Sequence, residues 1–226
     1  MELLTMGDQN ARYCLLQPVD SHDEALLPDQ MRCLREALPG VPILLAAFRV
    51  ENWNGDLSPW TAPAVFGKEP FAGEAGRTLD AVLRSLLPAV REKLTAPREA
   101  RFILGGYSLA GLFALWACGQ TDAFAGCAAA SPSVWFPGWI AYAETHLPLS
   151  RTVYLSLGDR EEKARNPIMG AVGRCIRRQD ALLAQAGRYR HTLVWNPGNH
   201  FQNPEERTAR AFAWCVFQEE AARVAE

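Results

Sequence analysis

Ser108 stands at the apex of residues 101–118, RFILGGYSLAGLFALWAC, where a short apolar run, a turn of small residues and a run of helix formers follow one another. Strand, tight turn and helix with a serine at the apex is a nucleophile elbow, which lifts the hydroxyl clear of its own backbone. Gly106, two residues before the serine, lets neighbouring backbone pass close to it. The usual pattern repeats the glycine two residues after the serine. Here that position is Ala110, with Gly111 next. A serine hydroxyl is a poor nucleophile until a base accepts its proton, a task suited to histidine near neutral pH. Of the four histidines, His22 falls in an early loop, His146 late in a helix and His191 within a strand. His200 alone lies just beyond the final strand, in a Pro-Gly-Asn turn able to project its ring over the sheet edge. A carboxylate is then required to orient the imidazole and stabilise its charged form. Asp159, Glu161 and Glu162 all follow the strand at 152–157, and the spacing does not choose among them. The chain order serine, acid, histidine is the one that accompanies an elbow of this kind.

Attack on a carbonyl also needs donors for the developing oxyanion. One is expected from the backbone N–H of Leu109, at the N-terminus of the helix after the elbow, where the helix dipole adds to it. The second is expected from the loop after the first inner strand. Pro18 has no N–H, so Val19 is the candidate there, with Asp20 next. Trp53, Trp60 and Trp135 lie on post-strand loops rather than helix stripes. With Tyr107 and Phe201 they are candidates for the walls of an acyl or aryl pocket.

These residues need a scaffold, and the rest of the chain predicts one. Strands are expected at 3–6, 12–19, 41–50, 102–104, 126–130, 152–157 and 190–195. Between them, 28–39, 78–94 and 167–183 repeat apolar residues at helical spacing, 109–118 is a run of helix formers, 139–146 reads as a short helix, and Asn203-Pro204-Glu205-Glu206 has the capping-box spacing that starts a final helix. Residues 20–23, Asp-Ser-His-Asp, read as a polar loop, and Pro88 is expected to bend or split its helix. Residues 51–76 form a long aromatic-rich loop. Alternation of this kind predicts a mainly parallel sheet of about six to seven strands with helices on both faces, in one domain spanning 1–226. Ligands of such sheets bind at the carboxyl ends of the strands, and Ser108, the acids at 159–162, His200 and the loops at Val19 and Trp53 all come directly after strands.

Composition narrows the partners. The chain has 226 residues, 49% hydrophobic and 21% charged, the profile of a globular protein with a sizeable core. A net charge of −2 gives no electrostatic reason for binding nucleic acid or an anionic membrane. No apolar run nears the roughly 20 residues that span a bilayer, and the N-terminal MELLTMGDQN has no signal-peptide character, so a cytoplasmic location is expected. The six cysteines include no C-x-x-C pair and sit inside apolar patterns, as reduced core residues would.

The motifs GGYSLAGLFALWA, AAASPSVWF, SLGDREE and NPGNHF occur in that order over roughly the C-terminal three-fifths of the chain. On them the chain resembles the α/β-hydrolase superfamily, and within it the esterase family that includes esterase D, the enterochelin esterases and the mycolyltransferase antigens. The resemblance implies an α/β-hydrolase fold without a large lid and a serine hydrolase cleaving carboxylic esters of small molecules through an acyl-enzyme. It implies no metal or organic cofactor. In the family a glutamate often stands three residues after the strand-ending glycine, which corresponds to Glu161. The expected set is therefore Ser108, His200 and Glu161, with Leu109 and Val19 at the oxyanion. Acyl transfer by the same groups, and a non-catalytic ligand-binding member of the fold, are the competing readings.

Overall fold

The computed structural model describes residues 1–225. In chain order the strands are β1 (Leu3–Gly7), β2 (Tyr13–Val19), β3 (Ile43–Arg49), a two-residue pair β4 (Thr61–Ala62) and β5 (Phe71–Ala72), β6 (Arg101–Tyr107), β7 (Phe124–Ala130), β8 (Thr152–Gly158) and β9 (Arg190–Asn196). Seven of them form one sheet in the order β1-β3-β2-β6-β7-β8-β9, and only β1 runs antiparallel to its neighbour. The helices are α1 (Ser21–Ala37), α2 (Trp53–Asp56), α3 (Ala75–Ala81), α4 (Leu87–Glu92), α5 (Leu109–Gln120), α6 (Trp139–Ala143), α7 (Pro167–Gly170), α8 (Val172–Ala186) and α9 (Pro204–Ala225).

The inner strands bury both faces because their side chains alternate between two apolar layers. In β2, Cys14 and Leu16 pack with α3, α4 and α5, whereas Tyr13 and Leu15 pack with α1 and α9. In β6, Phe102 and Leu104 take the first layer and Ile103 the second. Beyond the Leu16–Leu104 pairing β2 and β6 part, and their carboxyl ends leave a crevice at the point where the chain order reverses across the sheet.

Several boundaries differ from the sequence reading, each for a local reason. The Asp-Ser-His-Asp segment is a helix start: the Asp20 carboxylate accepts from the His22 and Asp23 N–H groups, each at 2.8 Å, and α1 begins at Ser21. Pro28 sits inside α1 on its exposed side, where water can satisfy the carbonyl it leaves free. Pro88 falls in the first turn of α4, and the helix expected over 78–94 is interrupted just ahead of it by a π-turn at Val82–Leu86, where the Leu87 N–H reaches back to Val82 O. The helix expected from 167 is broken at Ala171 into α7 and α8, with Asn166 capping the first. The long loop at 51–76 carries α2, the β4–β5 pair and the first residues of α3. Among the described residues no helix is long and apolar enough to cross a membrane.

The start of α1 carries a testable electrostatic cost. Burial, aided by the Asp20 charge, pushes the Asp23 carboxyl up from 3.8 to about 6. A raised folded-state value means that ionised Asp23 opposes folding above pH 6 and not below pH 4. Asp23→Asn is expected to stabilise the fold by about 1–2 kcal/mol at pH 8, after discounting for partial exposure and the favourable helix N-terminus. Thermal melts at pH 8 and pH 4 check this; an equal gain at both would remove the electrostatic explanation.

Candidate active site

The elbow is built by close packing of small residues. Ser108 has φ 58 and ψ −120, outside the regions that L-residues usually occupy, and its neighbours hold it there. Its N–H donates to Ala130 O at 3.1 Å, and its carbonyl accepts from Ser133 N–H at 3.0 Å, tying the turn to the end of β7. Gly106 has φ 154, and a Cβ there would stand 2.6 Å from the Ala110 methyl. The departure at Ala110 is thus absorbed at Gly106, whose missing side chain leaves room for that methyl.

Three strand ends converge on the serine. Ser108 follows β6, Glu161 lies on a single 3₁₀ turn after β8, and His200 lies in the turn after β9. His200 Nε2 is 3.0 Å from Ser108 Oγ, and His200 Nδ1 is 2.7 Å from Glu161 Oε2. The other two carboxylates after β8 are engaged elsewhere. Asp159 Oδ1 accepts from the Gly198 N–H at 2.8 Å and shapes the histidine turn, while Glu162 pairs with Arg177 at 3.0 Å on the surface. Glu161 is buried, and its Oε1 accepts from the Gly158 N–H at 2.7 Å, the Ser131 hydroxyl at 2.8 Å and Arg207 at 3.4 Å. With Oε1 fully occupied, Oε2 is the oxygen presented to the imidazole.

The Ser-Pro-Ser segment after β7 does more than its place in a motif suggested. Ser131, itself at φ 41, holds Glu161, and buried Ser133 places its Oγ 3.3 Å from Ser108 Oγ. Arg207 on α9 was not anticipated at all; a charged residue on a helix carries no sequence mark of burial.

A cavity of about 550 Å³ opens above Ser108 and His200. Trp53, Phe66, Trp135, Met169, Val172 and Phe201 supply its apolar lining, with Arg160 and Lys163 as cations beside them. Trp53 and Trp135 therefore line the space expected of them, but Trp60 and Tyr107 do not. Trp60 packs half-buried against the core: its Nε1–H donates to Pro137 O at 2.9 Å and its ring stacks on Trp139. Tyr107 points to the α1–α9 side of the sheet, and its hydroxyl donates to the His200 carbonyl at 2.8 Å. Burial and the nearby Glu161 charge push that hydroxyl up to about 12, so it remains a donor through the neutral range. Leu109 opens α5, where the first N–H groups have no intrahelical acceptor. Val19 does not supply the second donor expected of it: its carbonyl accepts from the Val50 N–H and it pairs in parallel with Arg49, so its own N–H faces β3, and it is not part of the cavity wall.

No protein-family model matches this chain, and no curated protein matches it. Solved structures do. An IroE-like serine hydrolase from Shewanella oneidensis superposes over 96% of this chain and 75% of its own with a TM-score of 0.75 at 14% identity. This chain has the α/β-hydrolase fold. The siderophore hydrolase EstB from Aspergillus nidulans covers 91% of this chain and 83% of its own, with TM-score 0.68 and 19% identity. The enterobactin esterase FES from Shigella flexneri covers 96% of this chain, which spans 55% of that longer protein, with TM-score 0.67 and 16% identity. At such identities it is the α/β-hydrolase architecture that is shared, and the seven-stranded sheet with β1 alone antiparallel is its form in this chain.

Proposed function

We propose that the protein is a serine esterase that cleaves carboxylic esters of small molecules through an acyl-enzyme. The observation that carries this reading is the unbroken line of hydrogen bonds from Glu161 through His200 to Ser108, lying against an apolar cavity. His200 Nε2 accepts the Ser108 proton as Oγ bonds to the ester carbonyl carbon, and Glu161 holds the imidazole in the tautomer that leaves Nε2 free to accept. The carbonyl oxygen becomes an oxyanion, for which the Leu109 N–H at the start of α5 is one donor. The tetrahedral adduct expels the alkoxide, which takes the proton from His200. Water then attacks the acyl-serine with His200 again as base, and the second collapse returns Ser108 and a carboxylic acid. Every bond change is met by these groups, with no call on a metal or organic cofactor. The neighbours of known structure include proteins named as serine hydrolases and esterases, which agrees in reaction class.

A fluorophosphonate probe is expected to label the wild-type protein at Ser108, and Ser108→Ala is expected to abolish labelling. Short p-nitrophenyl esters should be hydrolysed with the same dependence. Wild-type protein that is folded but neither labels nor hydrolyses any ester in a broad panel would leave the ligand-binding reading in its place. Adding alcohols to the assay and measuring the new ester against free acid separates acyl transfer from hydrolysis.

A further inference from the structure

We infer that Arg207, on the first turn of α9, is a positioning residue that locks the histidine turn and the acid into one geometry; this rests on the esterase reading above. The Arg207 side chain is 4% exposed, and a guanidinium so far from water must have its donors satisfied. The acceptors it uses belong to the site. Nη1 donates to Asn199 O at 3.0 Å and Tyr107 Oη at 3.0 Å, and approaches Glu161 Oε1 at 3.4 Å. Nη2 donates to Pro197 O at 2.8 Å. One planar fork thus grips two carbonyls of the turn that carries His200, the acid that orients His200, and the tyrosine beside Ser108.

The tyrosine closes the arrangement. Tyr107 accepts from Arg207 and donates to the His200 carbonyl, so the main chain is held at three carbonyls, those of 197, 199 and 200. The crowding around Gly158 shows how little room remains: a Cβ there would meet Gly198 O at 2.5 Å, Glu161 Oε1 at 2.9 Å and Arg207 Nη1 at 3.2 Å. A lysine could satisfy only part of this set, because an ammonium lacks the rigid two-nitrogen fork. Arg207 does not line the cavity, so its effect reaches substrate only through His200 and Glu161.

Arg207→Ala is expected to lower kcat for p-nitrophenyl ester hydrolysis by about tenfold to a hundredfold, with KM changed less than threefold, since small misplacements of reacting groups cost this much. Arg223→Ala, an exposed position on the same helix, is the control and should match wild type. In a His200→Ala background the Arg207 substitution should add little, because the turn and the acid that it holds both act through that imidazole. A full multiplicative loss there, or an unchanged kcat in Arg207→Ala, would overturn the inference. If Arg207→Ala does not fold, Arg207→Lys decides: a kcat reduced several-fold at constant KM supports the role, and wild-type kcat overturns it. The low-field proton resonance of His200 Hδ1, bonded to Glu161, reports the same geometry without turnover. It should be sharp in wild type and lost in the Arg207 variant. A wild-type protein that shows this resonance and hydrolyses no ester would refute the esterase reading alone. A resonance unchanged in the variant would refute the role of Arg207 alone.

Discussion

His200→Ala is expected to lower kcat on a p-nitrophenyl ester by about 10⁵–10⁶, with KM nearly unchanged. The imidazole is the one group within hydrogen-bond reach of Ser108 Oγ that can accept its proton, as the remaining neighbour of that oxygen is another hydroxyl, Ser133 at 3.3 Å. Without the base the serine must attack as a neutral alcohol, and the leaving alkoxide must depart unprotonated. The apolar walls supplied by Trp53, Trp135 and Phe66 remain, so binding of the ester should survive. Ser108→Ala should cost a similar factor, and the double variant should be no worse than either single one, because the two residues act as a unit. Steady-state kinetics on the three variants reads this directly. Turnover within tenfold of wild type for His200→Ala would remove it as the base.

Glu161→Gln is expected to cost about 10⁴ in kcat, a loss out of proportion to its size. The amide can keep the contacts at Oε1 by turning its carbonyl toward the Gly158 N–H, the Ser131 hydroxyl and Arg207. Its NH₂ then faces His200 Nδ1 as a donor. That nitrogen must give up its proton and accept, which places the proton on Nε2, pointing at the serine whose proton it should take. The damage is therefore a tautomer, not a collapse. Asp159→Asn should cost only a few-fold, since an amide oxygen can still accept from Gly198 N–H, and Glu162→Gln should leave kcat unchanged, its partner being Arg177 at the surface. A loss in Glu162→Gln equal to that in Glu161→Gln would require a different acid.

The sequence was most legible where chemistry and backbone impose the same residues. The elbow at 106–111 combines a small-residue turn with a strand before and a helix after, and Ser108 could be placed from that alone. His200 followed from its position after the last strand. Glu161 could not be chosen from spacing, since three carboxylates share its turn, and only the family resemblance favoured it; burial and the Oε1 contacts set it apart in space. The two pocket residues that proved to lie elsewhere fail for one reason. Trp60 and Tyr107 each carry a polar tip that finds a carbonyl partner away from the cavity, and aromatic identity says nothing of which side of the sheet the ring will take. The start of α1 was hidden because an N-cap and a polar loop use the same residues. Arg207 was invisible because its ligands come from 107, 161 and 197–199, three separate stretches brought together only by the fold.

The order in which those strands leave the ribosome has a consequence for the cell. The elbow is complete soon after β6, and the proposed acid arrives with β8, but the proposed base follows β9, the last strand in chain order and an edge of the sheet with a single partner. Under the proposed mechanism a nascent chain carries its nucleophile for nearly half of synthesis without anything to activate it. Because domains form from their earlier-made parts onward, the esterase reading expects a growing polypeptide of this kind to stay inert toward esters around it until β9 and α9 have docked.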